Sequence, residues 1–275
     1  MSRALLLALC VALLTVAGCK KAPPPEQPPA EQAAPAATSS ELSAEDKAAI
    51  HASIGSIDRL PGDADEDSWR RPSEVLTFLQ VKPGMEVVDY LSAGGYYTEL
   101  LARVVGPDGR VIAYNNPEYL KFSGEKPQQR YGDDRLTNVV QLTTPPEEAP
   151  FEPNSLDAAL FVMSYHDLRK AKDGSWPNTD PAQALARLVP ALKPGATVVV
   201  LDHAAAAGAD PATSVDALHR IDPAIIKRDF EAAGLTFDAE SKAFANAGDD
   251  HTKPVFDPAV RHKTDQVMYR FRKPA

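Results

Sequence analysis

The segment "VVDYLSAGGYYTELLA", from Val87 to Ala102, contains a strand, a turn and the beginning of a helix. "VVDY" is largely apolar and β-branched, which is typical of a buried strand. "SAGG" supplies the small residues of a tight turn, where glycine allows positive φ angles and a close approach by a ligand. "YTELLARVV" then places its apolar residues on one helical face. This order predicts the first strand–helix unit of an α/β sheet, with a ligand site at the turn.

The same alternation of strands and helices continues along the chain. Four further apolar segments are predicted to be strands of the same sheet: "RVIAY", "NVVQL", "LDAALFVM" and "ATVVVLDH". The final strands, "LTFDAES" and "DQVMYRFRK", are separated by a long loop and predict an antiparallel hairpin at one edge. Because amphipathic helices separate the apolar strands, the predicted fold is a doubly wound, mostly parallel, Rossmann-like α/β sheet of seven strands.

Capping residues predict where several helices begin and end. Ser43 is the predicted N-cap of the first helix, and Pro72 lies near the first turn of a short second one. Asp180 and Pro181 are predicted to open the helix "PAQALARLVPA", as N-cap and first residue. "PAIIKRDFEAAG" is predicted to be another helix, closed by glycine.

The N-terminal residues predict export. Arg3 precedes the apolar run "ALLLALCVALLTVA", and "VAGC" ends at Cys19. This pattern resembles the lipobox of bacterial lipoproteins, which implies a signal peptide over residues 1–18 and a lipid on Cys19. An ordinary secretory signal with an incidental cysteine is the alternative. Membrane attachment through Cys19, on the periplasmic side of the cell envelope and at the outer membrane, is therefore expected.

Composition divides the remaining chain into two parts. Residues 19–41 contain six prolines and no large apolar residue, so a disordered tether is predicted. Residues 42–275 have a globular composition without an internal repeat, so one domain is predicted, and we expect it to be monomeric. Cys10 falls in the predicted signal peptide, which leaves the mature chain a single cysteine and no internal disulfide. The net charge of −9 disfavours nucleic acid as a partner.

The turn after the first strand does not fit a dinucleotide fingerprint. Reading from Leu91, the three glycine positions of G-x-G-x-x-G hold leucine, alanine and tyrosine, which disfavours NAD. A class I S-adenosylmethionine-dependent methyltransferase requires only an acidic residue at the end of the strand and a turn of small residues. Asp89 and "SAGG" meet that requirement. A structural turn of small residues would use the same letters.

Six short motifs occur along the chain in the order "KPGM", "GGYYTE", "YHDL", "LKPG", "LDH" and "DDHTKPVFDP". From about Asp58 onward the chain resembles a family of predicted class I S-adenosylmethionine-dependent methyltransferases. The resemblance implies S-adenosylmethionine as cofactor. It also implies a cofactor site at the following residues: Asp89, Ser92, Ala93, Gly94, Gly95, Tyr97, Thr98, Asn115 and Thr144. Asn115 would replace the acidic residue that usually holds the ribose, and Thr144 or Thr143 would face the adenine.

Candidate catalytic residues follow the fourth predicted strand. Tyr165, His166 and Asp167 form the best local acid–base set, because substrate-facing groups are expected at the carboxyl end of this strand. A purely structural role for His166 is the alternative. Asp202 and His203 end the next strand on the same rim.

Two loops are expected near the mouth of the site. "AGDDHTKPVFDP" contains Asp249, Asp250 and His251, but contiguous ligands seldom converge on one ion, so no metal is expected there. His251 is expected to line the substrate mouth, with Arg261 or Lys263 anchoring its loop. "RKAKDGSWPNTD", which includes Trp176, fits either a lid or an ordinary surface loop.

The expected function is methyl transfer from S-adenosylmethionine to a small, unidentified acceptor. Because Leu91, Ala93 and Asn115 depart from the usual pattern, weak cofactor binding is expected. The alternative is an exported small-molecule-binding protein that retains the fold without catalysis.

Overall fold

A computed structural model of the chain describes residues 41–170 and 180–275. The strands within these ranges are β1 (Glu86–Tyr90), β2 (Arg110–Asn115), β3 (Val139–Thr143), β4 (Leu156–Val162), β5 (Leu192–His203), β6 (Thr236–Ser241) and β7 (Gln266–Arg272). They form a seven-stranded sheet in the order β3-β2-β1-β4-β5-β7-β6. β1 to β5 are parallel, whereas β7 runs antiparallel to both β5 and β6. The predicted doubly wound sheet and its antiparallel edge hairpin are confirmed.

The helices within the same ranges are α1 (Ala44–Ile54), α2 (Asp63–Arg70), α3 (Pro72–Leu79), α4 (Tyr96–Val105), α5 (Pro117–Ser123), α6 (Lys126–Tyr131), α7 (Pro181–Ala191), α8 (Pro211–Leu218) and α9 (Pro223–Ala232). Two core clusters lie on opposite faces of the sheet. One includes residues of α7 and α9, and the other includes residues of α1, α3 and α4. Both faces are therefore covered, which explains the continuous apolar sequences of the central strands.

The predicted helix caps are present. Ser43 caps α1, with the Asp46 N–H donating to its hydroxyl and Asp46 completing a capping box. Asp180 caps α7 by accepting from the Ala182 N–H, and Pro181 is the first residue of that helix. After α9, Gly234 has a φ of 94°, a left-handed conformation that suits glycine.

Four helices were not predicted from the sequence: α2, α5, α6 and α8. Each has eight or fewer residues and lacks the three buried apolar residues that mark the equally short α3, namely Val75, Leu76 and Leu79. The sequence of α2 is "DADEDSWR", which reads as a polar loop. Three of these short helices, α2, α5 and α6, supply walls of the cavity described below.

Several expectations concern residues outside the described ranges. The signal peptide, the lipid on Cys19 and the tether lie within or next to residues 1–40 and stay predictions. Most of the proposed lid, with Trp176, lies within residues 171–179. Of the helices that the structure describes, none combines the length and apolar content of a membrane span.

Candidate active site

A cavity of about 680 Å³ lies at the carboxyl ends of the central parallel strands. Its inner wall is formed by Asp89 and the turn after β1, and its floor includes His166. Residues of α2, α5 and α6 form the opposite walls, and the segment with Val255 and Phe256 contributes to the rim. The position agrees with the rule that open α/β sheets bind ligands beyond the carboxyl ends of their strands.

The turn after β1 is built from residues in unusual backbone conformations. Leu91, Ala93 and Gly95 have φ angles of 57°, 50° and 77°, all in the left-handed region. Leu91 and Ala93 occupy two of the positions where the dinucleotide pattern has glycine. The turn therefore keeps a glycine-like backbone without the glycines, at a cost of about 1–2 kcal/mol for each residue other than glycine.

Ala93→Gly is expected to stabilise the domain by about 0.5–1 kcal/mol, because glycine adopts positive φ without steric strain. Urea denaturation of the two proteins measures the difference. Ala186→Gly is the matched control, since Ala186 is exposed in the interior of α7. There the same change should destabilise by about 1 kcal/mol. Equal losses in both variants would contradict strain at Ala93.

Asn115 braces the turn from the end of β2. Its Oδ1 accepts from the Ala93 N–H at 2.8 Å, and its Nδ2 donates to Ser92 Oγ at 2.9 Å. The residue is 3% exposed and does not line the cavity. Both the oxygen and the nitrogen of the amide are therefore hydrogen-bonded within the protein. The contact of Asn115 with a ribose stays a prediction, and this geometry does not favour it.

Gly94 and Gly95 allow α6 to pack closely on the turn. A Cβ on Gly95 would lie 1.7 Å from the Tyr131 hydroxyl, and one on Gly94 would lie 2.9 Å from Lys126 Cδ. Arg130 Nε also donates to the Gly94 carbonyl at 2.6 Å. The side chains of α6 therefore approach the turn closely enough to require glycine at both positions, whether or not a ligand also does.

Asp89 is a buried carboxylate on the cavity wall, and only 3% of its surface is exposed. Burial raises the pKa of Asp89 to about 6, against the opposing effects of the Thr98 hydrogen bond and the Arg70 and Arg130 charges. The Thr98 hydroxyl donates to its Oδ2 at 2.6 Å. A carboxylate held in this way is stabilised by a cationic ligand in the cavity.

Arg70 brings a positive charge to the mouth of the cavity. Its guanidinium lies 4.3 Å from the centre of the Trp69 ring and 4.5 Å from that of Tyr96, and its Nε donates to Glu66 at 2.5 Å. Tyr97 fixes the same residue by donating to the Arg70 carbonyl at 2.7 Å. Arg70 and Lys126 both line the cavity, as does Glu66, the carboxylate paired with Arg70.

His166 lies on the cavity floor between two carboxylates. Its Nδ1 donates to Asp202 Oδ1 at 2.7 Å, and its Nε2 is 3.5 Å from Asp167 Oδ1. Burial alone would lower the pKa of His166, but the charges of Asp167 and Asp202 outweigh it and raise the pKa to about 9. His166 is therefore an imidazolium at neutral pH, suited to donating a proton or a hydrogen bond rather than to accepting a proton.

His203 lies beside His166, and its pKa is shifted in the opposite direction. Its Nδ1 is 2.8 Å from Thr264 Oγ1, and its ring centre is 6.3 Å from that of His166. Burial lowers the pKa of His203 to about 3, so its ring is neutral at physiological pH. The two neighbouring imidazoles therefore differ in charge.

The structure brings most of the predicted site residues together. The following predicted residues line the cavity: Asp89, Ser92, Ala93, Gly94, Gly95, Tyr97, His166 and Asp167. Thr98 reaches it only through Asp89. Thr144 lies outside the cavity lining, and its hydroxyl is buried without a hydrogen-bond partner among the described residues.

Tyr165 is placed away from the cavity. Its ring packs against Phe161 and Phe230 in the core, and its hydroxyl donates to Asp229 at 2.8 Å. Adjacent residues of a chain do not share a direction, which separates Tyr165 from its neighbour His166. A catalytic role for Tyr165 stays a prediction, and these contacts indicate a structural role.

The residues of the "DDH" motif are also engaged elsewhere. Asp249 forms a fully buried ion pair with Arg220 at 2.8 Å, and His251 Nε2 lies 3.0 Å from Asp265. Neither Asp249 nor His251 lines the cavity, whereas Val255 and Phe256 of the same loop do. The loop therefore contributes apolar side chains to the rim.

Several cavity residues were missed by sequence reasoning: Arg70, Tyr119, Lys126, His219 and Phe256. They come from helices that were not predicted, or from loops far along the chain. His219 carries one local signal, because it ends α8 with a φ of 52° and stands directly before a buried arginine.

No family model matches the chain. Over 135 residues it is 27% identical to the ubiquinone/menaquinone biosynthesis C-methyltransferase of Idiomarina loihiensis, covering 49% of this chain and 48% of that protein. It is also 27% identical to a demethylmenaquinone methyltransferase of Bacillus cereus, covering 49% of this chain and 51% of that one. The chain thus spans about half the length of the curated relatives it matches.

Solved structures extend the similarity across most of the chain. An S-adenosylmethionine-dependent methyltransferase from Aquifex aeolicus has a TM-score of 0.54 at 18% identity, over 76% of this chain and 92% of that one. The [4+2]-cyclase SpnF has a TM-score of 0.53 at 14% identity, over 76% and 81% of the two chains. The chain therefore has the class I methyltransferase fold.

Proposed function

We propose that this domain is an S-adenosylmethionine-dependent methyltransferase that acts on a small acceptor. The observation that carries the proposal is Asp89, a buried carboxylate at the end of β1 and on the wall of the cavity. Its raised pKa reflects a negative charge short of compensation within the protein, which a cationic ligand would supply. The similarity to methyltransferases in sequence and fold supports the same assignment.

The cavity fits the amino-acid end of S-adenosylmethionine. Asp89 would accept from its ammonium group, and the cations of Arg70 and Lys126 would face its carboxylate. The fit is poorer for the ribose, because the Asn115 amide is already bonded to Ser92 and Ala93. We therefore expect a dissociation constant weaker than micromolar.

When bound, S-adenosylmethionine supplies an electrophilic methyl group. His166 would donate a hydrogen bond to an acceptor oxygen and stabilise its deprotonated form, because the imidazole is charged at neutral pH. Phe122 and Phe256 line the cavity and are 79% and 61% exposed, so they would cover an apolar acceptor body. The acceptor class that fits is a small apolar molecule with an acidic hydroxyl group.

Isothermal titration calorimetry with S-adenosylmethionine, S-adenosylhomocysteine and NAD tests the proposal. S-adenosylmethionine and S-adenosylhomocysteine should bind with dissociation constants of about 1–100 μM, where 100 μM corresponds to about −5.5 kcal/mol. NAD should not bind. Preferred binding of NAD, or of neither class, would contradict the proposal.

A non-catalytic binding protein is the second candidate. SpnF has the same fold and is described as a [4+2]-cyclase, so the fold by itself does not specify methyl transfer. Binding of S-adenosylmethionine without transfer of labelled methyl to any component of a cell-envelope extract would favour this candidate.

We also propose that Cys19 anchors the domain in the cell envelope, on the basis of residues 1–19. Cys19→Ala is expected to move the protein from the membrane fraction to the soluble fraction, because acyl chains provide the proposed attachment. Fractionation after a high-salt wash measures the change, with Cys10→Ala as the matched control. Retention of Cys19→Ala in the membrane fraction would contradict lipid anchoring.

A further inference from the structure

Three potential metal ligands converge on the cavity floor: His166, Asp167 and His219. One ligand atom from each lies within 4.8 Å of the other two. Asp167 Oδ1 is 3.5 Å from His166 Nε2 and 3.8 Å from His219 Nδ1. Ligands of a tetrahedral zinc ion with bonds of about 2.0–2.1 Å are separated by about 3.3 Å, so small side-chain movements would complete the site.

The ligand atoms are supported by outer hydrogen bonds of the kind found around metal centres. His166 Nδ1 donates to Asp202, a fully buried carboxylate, which leaves Nε2 facing Asp167. The Tyr119 hydroxyl donates to the other carboxylate oxygen of Asp167. A carboxylate–histidine pair of this type orients the ring and fixes the tautomer that ligates through Nε2.

His219 is directed toward this cluster by its backbone and by its neighbours. It ends α8 in a left-handed conformation with a φ of 52°. Its ring packs at right angles to His166, with centres 5.6 Å apart, and against Phe256 at 4.9 Å. His219, which is more than 50 residues beyond the "YHDL" motif in sequence, is thereby placed beside it.

We propose that His166, Asp167 and His219 bind a divalent transition-metal ion on the floor of the cavity. Two imidazoles and one carboxylate form the donor set of open sites for zinc and ferrous iron, and oxygen-preferring magnesium is a poor match. Since all three residues line the cavity, further coordination positions would face a bound molecule. A bound ion would occupy Nε2 of His166 and would take the place of the hydrogen bond that this ring is proposed to donate to an acceptor oxygen. The site does not depend on S-adenosylmethionine binding.

Zinc binding to the purified full-length chain tests this site without any cofactor. After chelator treatment, one Zn²⁺ per chain should bind with a dissociation constant below about 1 μM, equivalent to −8.2 kcal/mol. Metal content by mass spectrometry after dialysis and calorimetric titration measure this, with Mg²⁺ as the ion that should not bind. Co²⁺ should give visible absorption bands characteristic of a coordinated ion.

Variants locate the ion and separate ligation from folding. His219→Asn should weaken zinc binding at least tenfold while keeping the fold, because asparagine tolerates the left-handed backbone. Asp202→Asn should weaken it by about tenfold through the orientation of His166. His251→Ala is the matched control, since His251 pairs with Asp265 and does not line the cavity. Zinc affinity unchanged in His219→Asn, or no binding by the folded parent at 100 μM Zn²⁺ (about −5.5 kcal/mol), would overturn the proposal.

Discussion

Asp89→Asn is expected to reduce S-adenosylmethionine affinity at least a hundredfold and to stabilise the domain at neutral pH. Asparagine keeps an acceptor for the Thr98 hydroxyl but removes the charge that would pair with the ligand ammonium. The loss of a charge-assisted contact in a buried site corresponds to about 3 kcal/mol of binding free energy. Calorimetry measures the affinity, and urea denaturation measures the stability.

The sign of the stability change follows from the pKa of Asp89. Its folded-state value of about 6 is above the reference value of 3.8, so the folded state holds the proton more tightly. Stability is therefore lost as pH rises from about 4 to about 6 and remains lower above that range. Asp89→Asn removes this loss, which corresponds to a gain of about 1–3 kcal/mol at pH 7.5 and little change at pH 4.

Asp134→Asn provides the matched control for both measurements. Asp134 is exposed and has a φ of 54°, which asparagine tolerates. This variant should match the parent in affinity and in stability. If folded Asp89→Asn bound S-adenosylmethionine as the parent does, the ammonium would be recognised elsewhere. A loss of stability at pH 7.5 would show that the charge of Asp89 is fully compensated in the fold.

Arg130→Leu is expected to destabilise the domain by about 3–5 kcal/mol, because it removes the cation that pairs with buried Asp63, whereas Glu99 keeps Arg103 and Arg135. Arg130 is 2% exposed. It donates to Asp63 at 2.6 and 3.0 Å, to Glu99 at 2.5 Å and to the Gly94 carbonyl at 2.6 Å. Chemical denaturation monitored by circular dichroism measures the loss.

Arg228→Leu is the control for removal of a surface arginine. The side chain of Arg228 is 64% exposed, although it also contacts a carboxylate, that of Asp229. Its replacement should change stability by less than about 1 kcal/mol. A loss below 1 kcal/mol for Arg130→Leu as well would mean that solvent or a neighbouring arginine compensates Asp63 and Glu99.

The fold was predictable because its determinants are local. The parallel strands are rich in apolar, β-branched residues, and the caps at Ser43 and Asp180 are single residues read directly from the sequence. Short polar helices such as α2 have no such signature, since α2 is positioned by contacts of Asp67 and Arg70 with Tyr96, more than 20 residues further along the chain.

The candidate site was predictable only where it is contiguous. Asp89 and the turn after β1 belong to one segment, and His166 follows β4, so strand order alone brings them together. His219 and Arg70 join the cavity through tertiary packing that no local pattern encodes. For Asn115, the position at the end of β2 was predicted but its hydrogen-bond partners were not, because these depend on the backbone conformation of the turn.

The turn after β1 is held in place by the protein itself. Asn115 bonds to it from the sheet side, and Arg130 bonds to the Gly94 carbonyl from α6. A small molecule entering the cavity does not have to immobilise this backbone, a step that costs about 1–2 kcal/mol per residue where it occurs. Such preorganisation raises affinity, because less conformational freedom is lost on binding. Fragment-sized molecules should consequently bind here with high efficiency per atom, which makes crystallographic fragment screening a direct route to the natural ligand.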